Sequence, residues 1–193
     1  MKTAYDRMAL LEAFKNQIDG RDLSPVLVFE TSLTHRFVKL SEAFCQLMED
    51  KNIESAQHLL RPLFDCIMYL FVVNAVDDPD TLCRKAIDAN IQLSDIMVTA
   101  AFYNNGKEFG LKERNIIRMM DNSDLFKGME TFYGKLSAQL HTSFYHILHL
   151  YANGAGSIRI GGDVAASYKP LVEDTLKDFD LIQSMYFKMV HYI

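Results

Sequence analysis

Apolar residues recur every three or four positions along most of the chain, and that period dictates helices. The clearest run is Val26, Phe29, Leu33, Phe37, Leu40, Phe44 and Leu47. It forms one amphipathic stripe, opened by Ser24 as N-cap with Pro25 at the first helical position, and it should end near Asp50. Residues 2–19 read as an earlier helix closed by Gly20. A central helix is expected over 53–76, where Pro62 should either kink it or divide a short lead-in from the main body. Asp78 and Pro79 repeat the cap signature and begin a fourth helix, expected to reach the stop at Asn104, Asn105 and Gly106.

A short helix over about 111–120 comes next, and after the turn at Asn122, Ser123 and Asp124 a longer one should extend to Tyr151. Four of the nine glycines fall within NGAGSIRIGGD, residues 153–163, so 153–167 reads as a loop, with a short extended piece at 157–160. Pro170 should open the last helix, whose stripe is Val172, Leu176, Phe179, Ile182, Tyr186 and Met189. No strand pair is expected. The fold predicted is all-α: one helical-bundle domain of six to seven helices spanning 1–193.

Composition narrows the setting. At 193 residues the chain is long enough to bury one continuous core. Twenty basic against 25 acidic residues leave a net charge of -5, so no global attraction draws it to nucleic acid or an anionic membrane. Cys45, Cys66 and Cys83 are odd in number, widely spaced and set among apolar residues, the pattern of buried free thiols in a reducing compartment. The N-terminal MKTAYDRMALLEAFKNQID mixes both charge signs through its apolar positions, which suits a helix and not a signal peptide. The most apolar run, LLRPLFDCIMYLFVVNAV at 59–76, is interrupted early by Arg61, Pro62 and Asp65. About ten uninterrupted apolar residues remain where a membrane span needs about twenty. The run therefore reads as the buried axis of a bundle, and the protein as cytoplasmic, with no membrane partner.

The sequence has no phosphate-binding G-x-x-x-x-G-K-[ST], no H-E-x-x-H, no G-x-S-x-G and no Glu-x-x-His pair. His141 and His146 lie about 140° apart around a helix, so they do not share an ion readily. No metal and no other cofactor is expected. The informative pattern lies elsewhere. Arg61, Asp65 and Tyr69 are spaced i, i+4, i+8 on the central helix, one face of an otherwise apolar element. Burying either charge alone would cost several kcal/mol, so an intrahelical ion pair with partners from another helix is the expected arrangement. Those partners are offered by FYGKLSAQLHTSFYH at 132–146, where Tyr133, Ser137 and His141 form a second row at the same spacing. A polar cluster of this kind either fixes helix register or performs chemistry. Arg159 in the glycine loop, followed by Lys169, could contact a phosphate or could simply connect helices. Phe126, Met129, Phe132, Met185 and Tyr186 read as core or subunit interface.

Arg61-Pro62-Leu63-Phe64-Asp65 and, some seventy residues on, Tyr133-Gly134-Lys135-Leu136-Ser137-Ala138-Gln139-Leu140-His141-Thr142-Ser143 resemble an uncharacterised bacterial all-helical family. Its motifs are R-x-x-[FL]-E and Y-x-x-L-S-x-x-x-H-x-S, and the similarity would span roughly residues 30–190. Asp65 stands where that family usually has Glu, and Pro62 is unusual there. The family is similar in outline to the HEPN superfamily of helical bundles, many of them dimeric ribonucleases of toxin–antitoxin, CRISPR and phage-defence systems. The resemblance implies a HEPN-like protein of a bacterial defence setting, acting on RNA without a metal and assembling as a homodimer. In those nucleases the histidine of R-x4-6-H serves as general acid or base and the arginine stabilises phosphate charge. Here His141 would take the first role and Lys135, at the matching spacing, the second. Lysine lacks the bidentate fork of arginine, so Arg61 would have to reach in from the neighbouring helix. Asp65, Ser137 and Tyr133 would complete the catalytic group, with Tyr69 and Arg159 binding substrate. The competing expectation is a non-catalytic interaction or regulatory protein, with a protein partner, in which the Arg61, Asp65 and His141 cluster is structural.

Overall fold

The computed structural model of the chain describes residues 24–87, 91–140 and 165–192, together with Glu12, Lys15, Asp19 and Gly20; the side chains of 165–168, 191 and 192 fall outside that description. Six helices have defined bounds: α1 (Pro25–Glu49), α2 (Ile53–Ala75), α3 (Pro79–Ile87), α4 (Glu113–Asn122), α5 (Met129–Leu140) and α6 (Ala165–Tyr192). Two short strands, β1 (Met97–Val98) and β2 (Phe109–Gly110), pair antiparallel between α3 and α4. The fold is all-α apart from this small hairpin. Of the first expected helix, Glu12 and Lys15 are helical and Gly20 is left-handed at φ 78. The remainder of 2–19, the expected continuation of α5 beyond Leu140 and the expected loop and extended piece at 153–163 lie outside the described residues.

Capping explains where the long helices begin. The Ser24 hydroxyl accepts from the Leu27 N–H at 3.1 Å and the Asn52 side chain from the Ser55 N–H at 3.3 Å, each satisfying a donor that the first turn leaves open. α2 runs through Pro62 without dividing. The proline forfeits only the bond to the carbonyl of residue 58, and the buried residues before and after it hold the rest of the helix against its neighbours. α2 touches every other described helix. Leu60, Leu63, Phe64, Ile67 and Met68 have no exposed surface. The most apolar run of the chain is thus the bundle axis, with 72% of its most apolar window buried.

α1 turns a different line inward from the one its apolar stripe suggests. Leu27, Glu30, Thr34, Phe37, Val38, Ser41, Phe44 and Met48 are buried, whereas Val26, Phe29, Leu33, Leu40 and Leu47 are half-buried at the flank of the core. Two of the polar residues on that line, Thr34 and Glu30, have partners on α6 and α2. The Tyr186 hydroxyl donates to Thr34 at 3.1 Å, and the Asn74 amide donates to Glu30 at 3.5 Å. Cys66 and Cys83 are free buried thiols, pushed up to about 12 chiefly by burial, which suppresses the reactive thiolate.

Two boundaries correct the sequence reading. The fourth helix, described over Pro79–Ile87, does not reach 104–106, since residues 91–106 are not α-helical. Residues 96–100 are extended instead, with Ile96, Val98 and Ala100 buried and Met97 exposed, the alternation of a strand. Backbone bonds hold them there, from the Asp77 N–H to the Thr99 carbonyl at 2.9 Å and from the Leu111 N–H to the Ile96 carbonyl at 3.1 Å. Asn104, Asn105 and Gly106 do not stop a helix. Their successive positive φ angles of 52, 53 and 69 turn the chain between the strands, a conformation that asparagine and glycine adopt at least cost. At the other end, α6 is already helical at Ala165, ahead of Pro170, so 165–167 is helical where a loop was expected.

α5 is started by a residue of the preceding helix. The Asp121 carboxylate accepts from the Met129 N–H at 2.7 Å and the Glu130 N–H at 3.0 Å, while Lys127 donates to the Asp121 carbonyl at 3.0 Å. This is an N-cap delivered across a turn, and it fixes α5 against α4. Asp121→Ala is expected to lower stability by about 1 to 2 kcal/mol, read by urea denaturation. A loss below a few tenths would show that the cap does not hold α5.

Candidate functional site

Of the polar row on α2, Arg61 meets Tyr133 and Ser137 of α5, and α4 closes the cluster from a third side. Arg61 is the centre, only 5% exposed. Its Nε donates to Asp65 Oδ1 at 2.9 Å, one turn along α2. One terminal nitrogen donates to the Ser137 hydroxyl of α5 at 3.0 Å. The other lies 3.1 Å from Glu113 Oε1 of α4. The guanidinium plane covers the Tyr133 ring, with Cζ 3.8 Å from the centroid, and the Tyr133 hydroxyl donates to the same Glu113 carboxylate. One side chain therefore ties three helices together.

The electrostatics follow from this crowding. Burial alone would lower the Arg61 pKa, but the charge of Asp65 and the contact with Tyr133 outweigh it, so the guanidinium stays firmly charged. Asp65 is pushed above the ordinary carboxylate range, first by burial; Arg61 opposes that shift without cancelling it. Tyr69 is raised by burial and then by the neighbouring charge of Asp65. It sits beside the cluster, half-buried against the core, and does not bond the guanidinium.

Lys135 is not part of this group. It leaves α5 on another side and lies 2.7 Å from Asp174 and 2.8 Å from Asp178, both on α6. Burial works to lower its pKa, and the bonds to Asp174 and Asp178 reverse that. Asp178, buried at the same contact, is raised by desolvation against the pull of Lys135. The lysine expected to stabilise phosphate is thus tied into an α5–α6 bridge. His141 and Arg159 lie outside the described residues, as do His146 and His149. Among the described residues, no group of three His, Cys, Asp or Glu side chains could hold a metal ion.

Sequence reasoning reached Arg61, Asp65, Ser137 and Tyr133 as one cluster and missed Glu113. Glu113 carries no signal beyond being an acidic residue at the start of a short helix, which is where the macrodipole favours one anyway. Its role depends on where α4 lands.

Taken together, the fold and the cluster define a helical bundle built on one apolar axis and clamped across it by a buried arginine. No protein-family model, no curated protein and no solved structure matches the chain.

Proposed function

We propose that the protein is a non-catalytic interaction or regulatory protein in which the Arg61 cluster sets the relative positions of α2, α4 and α5. The observation that carries this reading is the state of Arg61: all three guanidinium nitrogens have protein partners and its face is covered by Tyr133. A phosphate would have to displace two carboxylates to reach it. Such a fully satisfied polar cluster specifies helix register. A cytoplasmic setting, a protein partner and a homodimer belong to the same proposal.

The competing proposal is a HEPN-like, metal-independent ribonuclease of a bacterial defence or toxin–antitoxin setting, with His141 as its acid or base. Both cations it would call on, Arg61 and Lys135, are engaged by carboxylates. The two proposals separate in one assay. Folded wild-type protein, incubated with mixed cellular RNA in chelator and then in magnesium, is expected to leave the RNA intact. Cleavage by wild type that disappears in His141→Ala would overturn the structural reading and establish the nuclease.

A further inference from the structure

Away from the arginine cluster, the C-terminal ends of α2 and α4 converge on an open cleft of about 520 Å³. That volume falls within the range of small-molecule sites, about 300–1,000 Å³. Its floor is apolar, with Phe71 and Met189 fully or nearly buried beneath it, and Phe102 stands at its mouth half-exposed. Its polar lining is one-sided. Asp77 and Asp124 supply carboxylates, Asn74 and Asn122 carboxamides, and no Lys, Arg or His is among the described lining residues.

The backbone adds charge of the same sign. Two helices end here, α2 at Ala75 and α4 at Asn122, and neither carries a basic residue in its last turn. The negative dipole end of α2 is therefore not offset by a basic side chain in its last turn, whereas that of α4 is offset in part by Lys127, which donates to the Asp121 carbonyl at 3.0 Å. Asp77 is also fixed in place, because its Oδ1 accepts from the Ala101 N–H at 3.1 Å and so holds the segment that carries Phe102. An aromatic wall, an apolar floor and a negative rim together select one kind of ligand. An organic cation can place its ammonium group near the carboxylates and an aromatic face while its apolar body fills the floor.

We infer that this cleft binds a small organic ammonium compound with an apolar body. The apolar body distinguishes this ligand from a metal ion, and its positive charge distinguishes it from a fatty or aromatic acid.

The probes that test it are phenethylammonium, its neutral counterpart 2-phenylethanol and the anion 3-phenylpropionate, titrated into the full chain by calorimetry and by chemical-shift perturbation. Saturable binding of the ammonium is expected, with the alcohol and the carboxylate weaker by about fivefold or more. Asp77→Asn combined with Asp124→Asn should remove the preference for the ammonium while leaving the alcohol unchanged. The amide oxygen at 77 can still accept from Ala101, so the loop is retained. Should the double variant fail to fold, Asp124→Asn alone, at an exposed position, gives the same reading with a smaller loss of preference. No saturable binding by wild type, equal binding of all three probes, or a preference that survives in the asparagine variants would each overturn the inference.

Discussion

Phe44→Ala is expected to lower stability by about 3 to 5 kcal/mol, measured by urea denaturation with an unchanged slope. Phe44 has no exposed surface and stacks on Phe179 of α6, with ring centroids 4.0 Å apart and planes 17° from parallel. Seven residues earlier on α1, Phe37 stacks on Tyr186, seven residues later on α6, at 4.3 Å and 11°. The two pairs are thus rungs of one antiparallel aromatic seam. Truncating one ring leaves a cavity between helices that cannot close, because the second rung holds their separation. The stacking contact itself should couple the two positions by about 0.5 to 1.5 kcal/mol. Phe44→Ala combined with Phe179→Ala should therefore cost less than the sum of the single losses. A loss below about 1 kcal/mol for Phe44→Ala would mean that the seam is not close-packed.

That seam was half-legible in the sequence. Phe37 and Phe44 stood in the expected stripe of α1, and Phe179 and Tyr186 in that of α6, since both obey the helical period. The rest of the α1 stripe was displaced by about one residue. Periodicity counts apolar positions, and it cannot know that Tyr186 will satisfy Thr34 or that Asn74 will reach Glu30. The caps at Ser24 and Asp78 were readable because they are local chemistry: the Asp78 carboxylate accepts from the Thr81 N–H at 3.0 Å. The region after Ile87 misled for the converse reason. Ile96, Val98 and Ala100 alternate as a strand does, but three positions cannot outvote the helical context around them, and their partner Phe109 lies beyond a turn. Within the candidate site, the Arg61–Asp65 pair follows from i, i+4 spacing, and its contact with Ser137 and Tyr133 follows from the need to satisfy a buried guanidinium. Glu113 and the Asp174 and Asp178 partners of Lys135 do not follow from any spacing. They come from helices whose placement is a property of the whole bundle.

Arg61→Ala is expected to destabilise the protein by about 3 kcal/mol, the lower end of the range for breaking a buried ion pair. The lower end applies because the carboxylates left behind keep some contact with water, with side-chain exposure of 32% for Asp65 and 56% for Glu113. Asp65 bears most of the cost, since burial already raises its pKa in the presence of Arg61. Asp65→Asn should be milder, at about 1 kcal/mol. The amide oxygen can still accept from Nε, Glu113 still balances the guanidinium, and the desolvation cost of the carboxylate is gone. The pH dependence of the Arg61→Ala loss has a definite sign. Without Arg61, the folded-state pKa of Asp65 rises further above its unfolded value, so the folded state binds the proton more readily. A carboxyl shifted in that direction costs nothing below its unfolded pKa and destabilises progressively as pH rises through its folded pKa. The deficit of Arg61→Ala relative to wild type should therefore be smaller near about pH 4 than near about pH 8. Arg61→Met with Asp65→Leu, which removes both charges and keeps most of the volume, should recover much of the loss. If Arg61→Ala proved as mild as Asp65→Asn at every pH, the arginine would not be holding the helices together. Its burial among two carboxylates would then need a functional cause, and the ribonuclease reading would regain its cation.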